Sequence, residues 1–455
     1  MIKTLLNKYK YQLILFFIVF ILFWMNYKPG TYLTGWDNLQ TELNPGLAVK
    51  RAFFSVWEEY QSFGLTAGMA HAADLPRAVF LWITSFVMPQ NMIRYFYHFL
   101  MLLLGGLGMM KVIIGLDPRL RGDDKNEIFA FFGALFYMLN LGTAQIFYLP
   151  HEAFSTFFAL LPWGIWIFSK IINSDYRLDS RLRGNDIKLF FLINLLGTPA
   201  FYTQQLFIVY MLVLGCIALG KLKNIKRIFL AFLLIIIINS FWLLPQFYFL
   251  KTNSQVVTEA KNNTLSTENV FYQNYEKGTI DNFLRLEGFY FDLKGKDNTS
   301  LFAPWKDHLG SVFGLLSYVF AGLMILGLLK NIKERKFVFV FIFLLCAIGL
   351  LLATPPFSWI NELIRQFPIV NQIFRSPFTK FIIPYSLVYS YFVAKGIQAL
   401  DPRLHGDDIK KKLVYWFIGL LVILYALPSF QGYFFSPEMK VKIPDDYHAV
   451  INYFK

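Results

Sequence analysis

The chain predicts an all-α polytopic membrane protein of about eleven (10–13) transmembrane helices with a long first extracytoplasmic loop. Three observations carry that reading. Apolar residues make up 56% of the sequence, aromatics 19% and charged residues only 16%, with a mean hydropathy of +0.46, where a soluble chain of this length carries more charge. Apolar runs long enough to cross ~30 Å of hydrocarbon recur along the chain. Between them, short basic stretches alternate with longer, acid-containing ones.

Lys3, Lys8 and Lys10 precede an apolar run from Tyr11 to Met25, which lacks the small-residue cleavage site of a signal peptide. It reads as an uncleaved first span with a cytoplasmic N-terminus. Further spans lie near 93–114, 128–149, 151–172, 228–250, 309–329, 338–354, 379–398 and 413–430. The stretch 189–220 exceeds one helix and is broken by Gly197-Thr198-Pro199, which predicts a tight helical hairpin. Each span is helical because lipid satisfies no backbone group. The run 76–89, at ~14 residues, is too short to cross and reads as re-entrant or interfacial.

The net charge of +14 does not indicate nucleic acid, because the cations sit between apolar runs instead of forming a stripe. The clusters Arg119/Arg121/Lys125, Arg177/Arg181/Arg183/Lys188, Lys221/Lys223/Lys226/Arg227, Lys330/Lys333/Arg335/Lys336 and Arg403/Lys410/Lys411/Lys412 all fall on the cytoplasmic side. That arrangement leaves 28–92, 251–308 and 355–378 outside, together with the C-terminus. The expected organisation is a transmembrane domain over 1–430 and an extracytoplasmic tail over 431–455. The surroundings that follow are membrane lipids.

A nine-residue motif occurs three times at irregular intervals, over 116–124, 178–186 and 400–408, as in Leu116-Asp117-Pro118-Arg119-Leu120-Arg121-Gly122-Asp123-Asp124. Its interleaved arginines and its spacing do not suit a calcium loop. The copies resemble translated palindromic genomic repeats, tolerated in cytoplasmic loops because loop closure costs little more as loops lengthen. They are read as passive insertions.

Chemistry concentrates in the outer loops. Asp37 follows Trp36 just beyond the first span and is either a general base or a solvated or capping carboxylate; Glu42, in the same segment, is the rival base. Asn44-Pro45 is a helix N-cap and first-turn pair, and Leu47, Val49, Phe53, Val56 and Trp57 fall toward one side of the helix it opens, which suits the membrane interface or plain packing. His151 and Glu152, in a short outer turn, either contact an acceptor or form an interfacial pair satisfied by water. Arg375 and Lys380 could hold a lipid phosphate or snorkel. Arg285 is a further candidate for phosphate, and His71 for the acceptor. Without a phosphate-cradling Gly-rich loop, a nucleotide-dependent enzyme is not indicated. No outer Asp-x-Asp pair occurs, and Cys216 and Cys346 lie within apolar runs, so no metal, cofactor or disulfide is expected.

These residues together resemble a family. After one N-terminal span come Gly35-Trp36-Asp37 with Asn44-Pro45, then Trp57 ahead of Phe63-Gly64, Leu75-Pro76, Asn239-Ser240-Phe241-Trp242-Leu243-Leu244-Pro245 and Phe374-Arg375-Ser376-Pro377-Phe378. The order is similar to that of the GT-C superfamily of integral-membrane glycosyltransferases, particularly the N-terminal membrane domain of α-(1→3)-arabinofuranosyltransferases and YfhO-type proteins. The resemblance implies a polyprenyl-phosphate sugar donor, an envelope glycan or lipid acceptor, an extracytoplasmic site on a bacterial plasma membrane and a catalytic carboxylate at Asp37. Many members carry two acids there, and only Glu42 can supply the second. Ile443-Pro444-Asp445-Asp446-Tyr447 resembles the opening of an outer soluble domain. The rival expectations are a lipid or glycan transporter and an inactive, truncated remnant.

Overall fold

The computed structural model describes residues 8–35, 40–58, 64–66, 70–116, 124–173, 180–295, 297–367, 370–371, 375–400 and 408–453. Those residues are mostly helical. The first helix, α1 (Lys10–Asn26), ends where the Asn26 side chain turns inward: its amide nitrogen donates to the Leu22 and Ser429 carbonyls, and its oxygen accepts from Phe434 N. The first outer segment then holds α2 (Pro45–Phe53), a 3-10 turn at His71–Asp74 and α3 (Leu75–Thr84). After it come α4 (Gln90–Leu116), α5 (Asp124–Leu139), α6 (Leu141–Tyr148), α7 (Glu152–Asn173), α8 (Ser180–Leu196), α9 (Gln204–Leu219) and α10 (Ile225–Thr252). The second half contributes α11 (Lys261–Lys277), α12 (Leu315–Lys333), α13 (Val338–Leu350), α14 (Pro377–Leu400) and α15 (Asp408–Tyr425), with shorter helices between them.

Local sequence explains the breaks. Asn140 separates α5 from α6 by a 40° bend, its side chain accepting from Thr143 N at 3.0 Å as an N-cap. The expected hairpin at Gly197 is present, with the 3-10 turn Thr198–Tyr202 joining α8 to α9. Buried from Pro377 to Ile397, α14 forms the centre of the bundle. It crosses α12 at Gly396 and Gly327, where a Cβ on either would strike the other helix's backbone.

Among the described residues, five helices are long and apolar enough to cross a membrane, or six if the bent α5–α6 pair is one span, fewer than the eleven expected. The reason is physical. Three apolar helices are short, α1 with 17 residues, α9 with 16 and α13 with 13. Two more carry charges, Arg181, Arg183, Asp186 and Lys188 on α8 and Lys380 and Lys395 on α14. As expected, α3 is too short to cross, at 10 residues. Of the repeats, 117–123 and 401–407 lie outside the described residues, while 180–186 opens α8.

The segments expected on the outer side share one end of the bundle. Tyr32–Leu33 pairs antiparallel with Lys440–Val441. Ser436 N donates to the Tyr148 carbonyl, the Tyr148 hydroxyl to the Leu301 carbonyl, and the Thr198 hydroxyl to the Ala73 carbonyl.

Candidate functional site

At that end five charged side chains form a buried chain of contacts. Arg77, in the first turn of α3, grips Asp74 with two bonds, Nε to Oδ1 at 2.7 Å and Nη2 to Oδ2 at 2.6 Å. Its Nη1 lies 3.4 Å from Glu152 Oε1, at the start of α7. Arg94, one turn into α4, approaches the same oxygen with Nη2 at 2.5 Å. From Nη1 it donates to the Leu33 carbonyl at 3.1 Å, to Gln40 Oε1 at 2.6 Å and to Glu42 Oε1 at 3.4 Å. Arg94 thus joins both flanks of the 34–39 segment to the bundle. All five residues are buried. Polar groups in such a place are affordable only when paired.

Histidines surround this chain. His71 Nε2 stands 3.2 Å from Glu58 Oε1, both buried, and burial holds its imidazole down at about 4. His151, half-buried beside Glu152, is likewise held at about 4 by burial, with the neighbouring Glu152 opposing. His98 is fully buried one helical turn beyond Arg94. Burial pushes the Glu42 carboxyl above the usual carboxylate range against the pull of Arg94.

Two openings meet the network. A cavity of about 200 Å³ is lined by Gln40, Thr41 and Asn44, by Leu47 and Arg51 of α2, and by His71, Asp74 and Tyr202. A recess of about 20 Å³, the size of one water, lies between Asp74, Arg77, His151, Glu152 and Tyr202. Asp74 and Tyr202 border both. Asn44 caps α2 as expected, accepting from Leu47 N at 3.1 Å. The helix stops at Phe53, so Val56 and Trp57 are not on it; Phe53, Phe54, Val56 and Trp57 are each exposed, with the Phe53 and Phe54 rings edge to face.

The expected site residues divide. Glu42, His71, His151 and Glu152 converge on the network and its openings. The expectation that the His151–Glu152 turn is satisfied by water is corrected for Glu152, whose side chain is enclosed by two guanidiniums. Asp37 and Trp36 lie outside the described residues, as does Phe374. Lys380 is buried over the Phe154 ring, donates to Thr379 Oγ1, and its charge reaches His151. Arg375 instead bonds Asn263 and Ser266 of α11 at 2.9 and 3.0 Å. Arg285 pairs with Asp281 and Glu287 in a separate network.

Asp74, Arg77, Arg94 and His98 were not anticipated. Their signal was present: ionisable residues inside otherwise apolar runs mark functional pairs. No group of three or more His, Cys, Asp or Glu side chains among the described residues suits a metal ion. No family model, curated protein or solved structure matches the chain.

Proposed function

We propose that the protein is a GT-C-like membrane glycosyltransferase, taking a sugar from a polyprenyl-phosphate donor to an envelope glycan or glycolipid on the extracytoplasmic side of a bacterial plasma membrane. In this reading α1, α8, α9, α13 and α14 cross together with the six longer spans, giving about eleven. The observation that carries the proposal is the cavity of about 200 Å³ between the first outer loop and the ion network, where the polar side chains of Gln40, Thr41, Asn44, Arg51, His71 and Asp74 stand among mostly apolar wall surface. The apolar wall suits a prenyl chain or a sugar face, and the few polar groups suit sugar hydroxyls. Arg51 is the cation lining the cavity and suits the donor phosphate.

Asp37 is the proposed base. Two residues, three steps or about 10 Å of chain, separate it in sequence from Gln40 in the cavity wall. The base removes the acceptor hydroxyl proton as that oxygen bonds to the anomeric carbon. The bond from that carbon to the phosphate oxygen breaks, and its electron pair leaves with the polyprenyl phosphate.

The burial of Arg94 and His98 at the mouth of a span favours a second reading, a lipid or glycan transporter. Transfer from radiolabelled polyprenyl-phosphate sugars, measured in membranes, separates the two. For the transferase, Asp37→Asn lowers the rate by about 10²-fold or more. Full activity in that variant removes Asp37 as base, and no turnover by the wild type with any donor favours the transporter.

A further inference from the structure

We infer that the buried ion network is a binding site for one exchangeable proton, seated on Glu42. The inference stands whether or not the protein is a transferase. Among the described residues, three buried carboxylates, Glu42, Asp74 and Glu152, share two guanidiniums, Arg77 and Arg94, so an ionised Glu42 is weakly compensated in a buried place. A bare buried charge of that kind is costly, and taking up a proton removes it.

Geometry selects the carboxylate. Asp74 receives two bonds of 2.6–2.7 Å from Arg77, and Glu152 lies 2.5 Å from Arg94. Glu42 has a single contact of 3.4 Å from Arg94, and its other oxygen, Oε2, is buried without a hydrogen-bond partner among the described residues. Glu42 is 1% exposed. A second observation points the same way: His98 is wholly buried, and neither ring nitrogen has a hydrogen-bond partner among the described residues, although the ring feels Glu152, Arg94 and Arg77. The water-sized recess touches Asp74, Arg77, His151 and Glu152 of the same network.

Every neighbouring charge bears on the site. Glu42 is faced by Arg94 from α4, Arg77 from α3 and Glu152 from α7. Farther out stand His98, His151 and Lys380, and across the cavity Arg51 and the His71–Glu58 pair. Burial raises both Glu42 and Asp74, but Asp74 accepts two short bonds from Arg77 where Glu42 has one contact of 3.4 Å, so the geometry seats the proton on Glu42. Glu42 is then a hydrogen-bond donor and not a base at neutral pH, which leaves Asp37 as the base of the proposed transfer.

Infrared spectroscopy of the full chain in lipid nanodiscs tests this directly. The wild-type-minus-Glu42→Gln spectrum at about pH 7 should contain the carbonyl stretch of one protonated carboxylic acid, shifting on exchange into D2O. In the wild type alone, that band should bleach as pH rises, which keeps the test intact if the variant does not fold. The stability linked to this proton is fully present below the ordinary carboxylate range and is lost as pH rises through the raised value. Glu42→Gln, which mimics the protonated acid, should therefore melt above the wild type in alkaline buffer. A difference spectrum showing only loss of an ionised carboxylate would overturn the proposal. So would wild-type melting that depends on sodium or potassium at fixed pH, since a metal cation would then occupy the site.

Discussion

Two ionic networks stand at the same end of this molecule, and they are built differently. The Lys277–Glu287–Asp292–Lys306 group with Arg285 and Asp281 matches three cations to three anions, at distances of 3.2–3.5 Å. Its side chains are partly open, Asp281 reaching 54% exposure. The Glu42–Arg94–Glu152–Arg77–Asp74 network is buried, contains shorter contacts and, among the described residues, sets three carboxylates against two guanidiniums. A balanced, wet network ties loops together at little cost. An unbalanced, dry one is expensive, and its position against a cavity gives a reason for the expense.

The sharpest way to break this contrast is Arg94→Met. Removing it takes the 2.5 Å partner from buried Glu152 and the 3.4 Å donor from Glu42, and the expected loss is about 3–5 kcal/mol, read as thermal unfolding in detergent. A loss as small as a surface pair's would erase the distinction between the networks.

A smaller effect should come with acid. His71 is held at about 4, below its ordinary 6.5, so its native contribution is complete above about pH 6.5 and disappears as pH falls toward 4. The loss is at most about 3 kcal/mol. His71→Gln should flatten that limb of the melting profile, whereas an unchanged limb would show that another group sets it.

The smallest effect belongs to the balanced network. Lys306→Gln, which removes one 3.5 Å contact of a side chain 38% exposed, should cost under about 1 kcal/mol and less still in high salt. A larger or salt-insensitive loss would make that network structural in its own right.

Features with local causes were legible in the sequence. The Asn44–Pro45 helix start and the Gly197–Pro199 hairpin each depend on a few adjacent residues. Glu42, His71, His151 and Glu152 stood out as polar residues between apolar runs. Their common destination did not, because the network joins positions 42, 74, 77, 94 and 152 by tertiary packing. Arg77 and Arg94 were absorbed into apolar runs whose hydropathy outweighed them. Arg375 reads locally as a free cation at a span's mouth, whereas its partners Asn263 and Ser266 lie more than a hundred positions earlier.

The Asn26 side chain has a temporal consequence. Its partners, the Ser429 carbonyl and the Phe434 amide, lie about four hundred positions further along the chain, as does the Lys440–Val441 strand that pairs with Tyr32–Leu33. A ribosome delivers the N-terminal portion first. The base of the first outer loop therefore gains these contacts only after the segment beyond α15 has been made, and a nascent chain arrested before position 429 carries the loop without them.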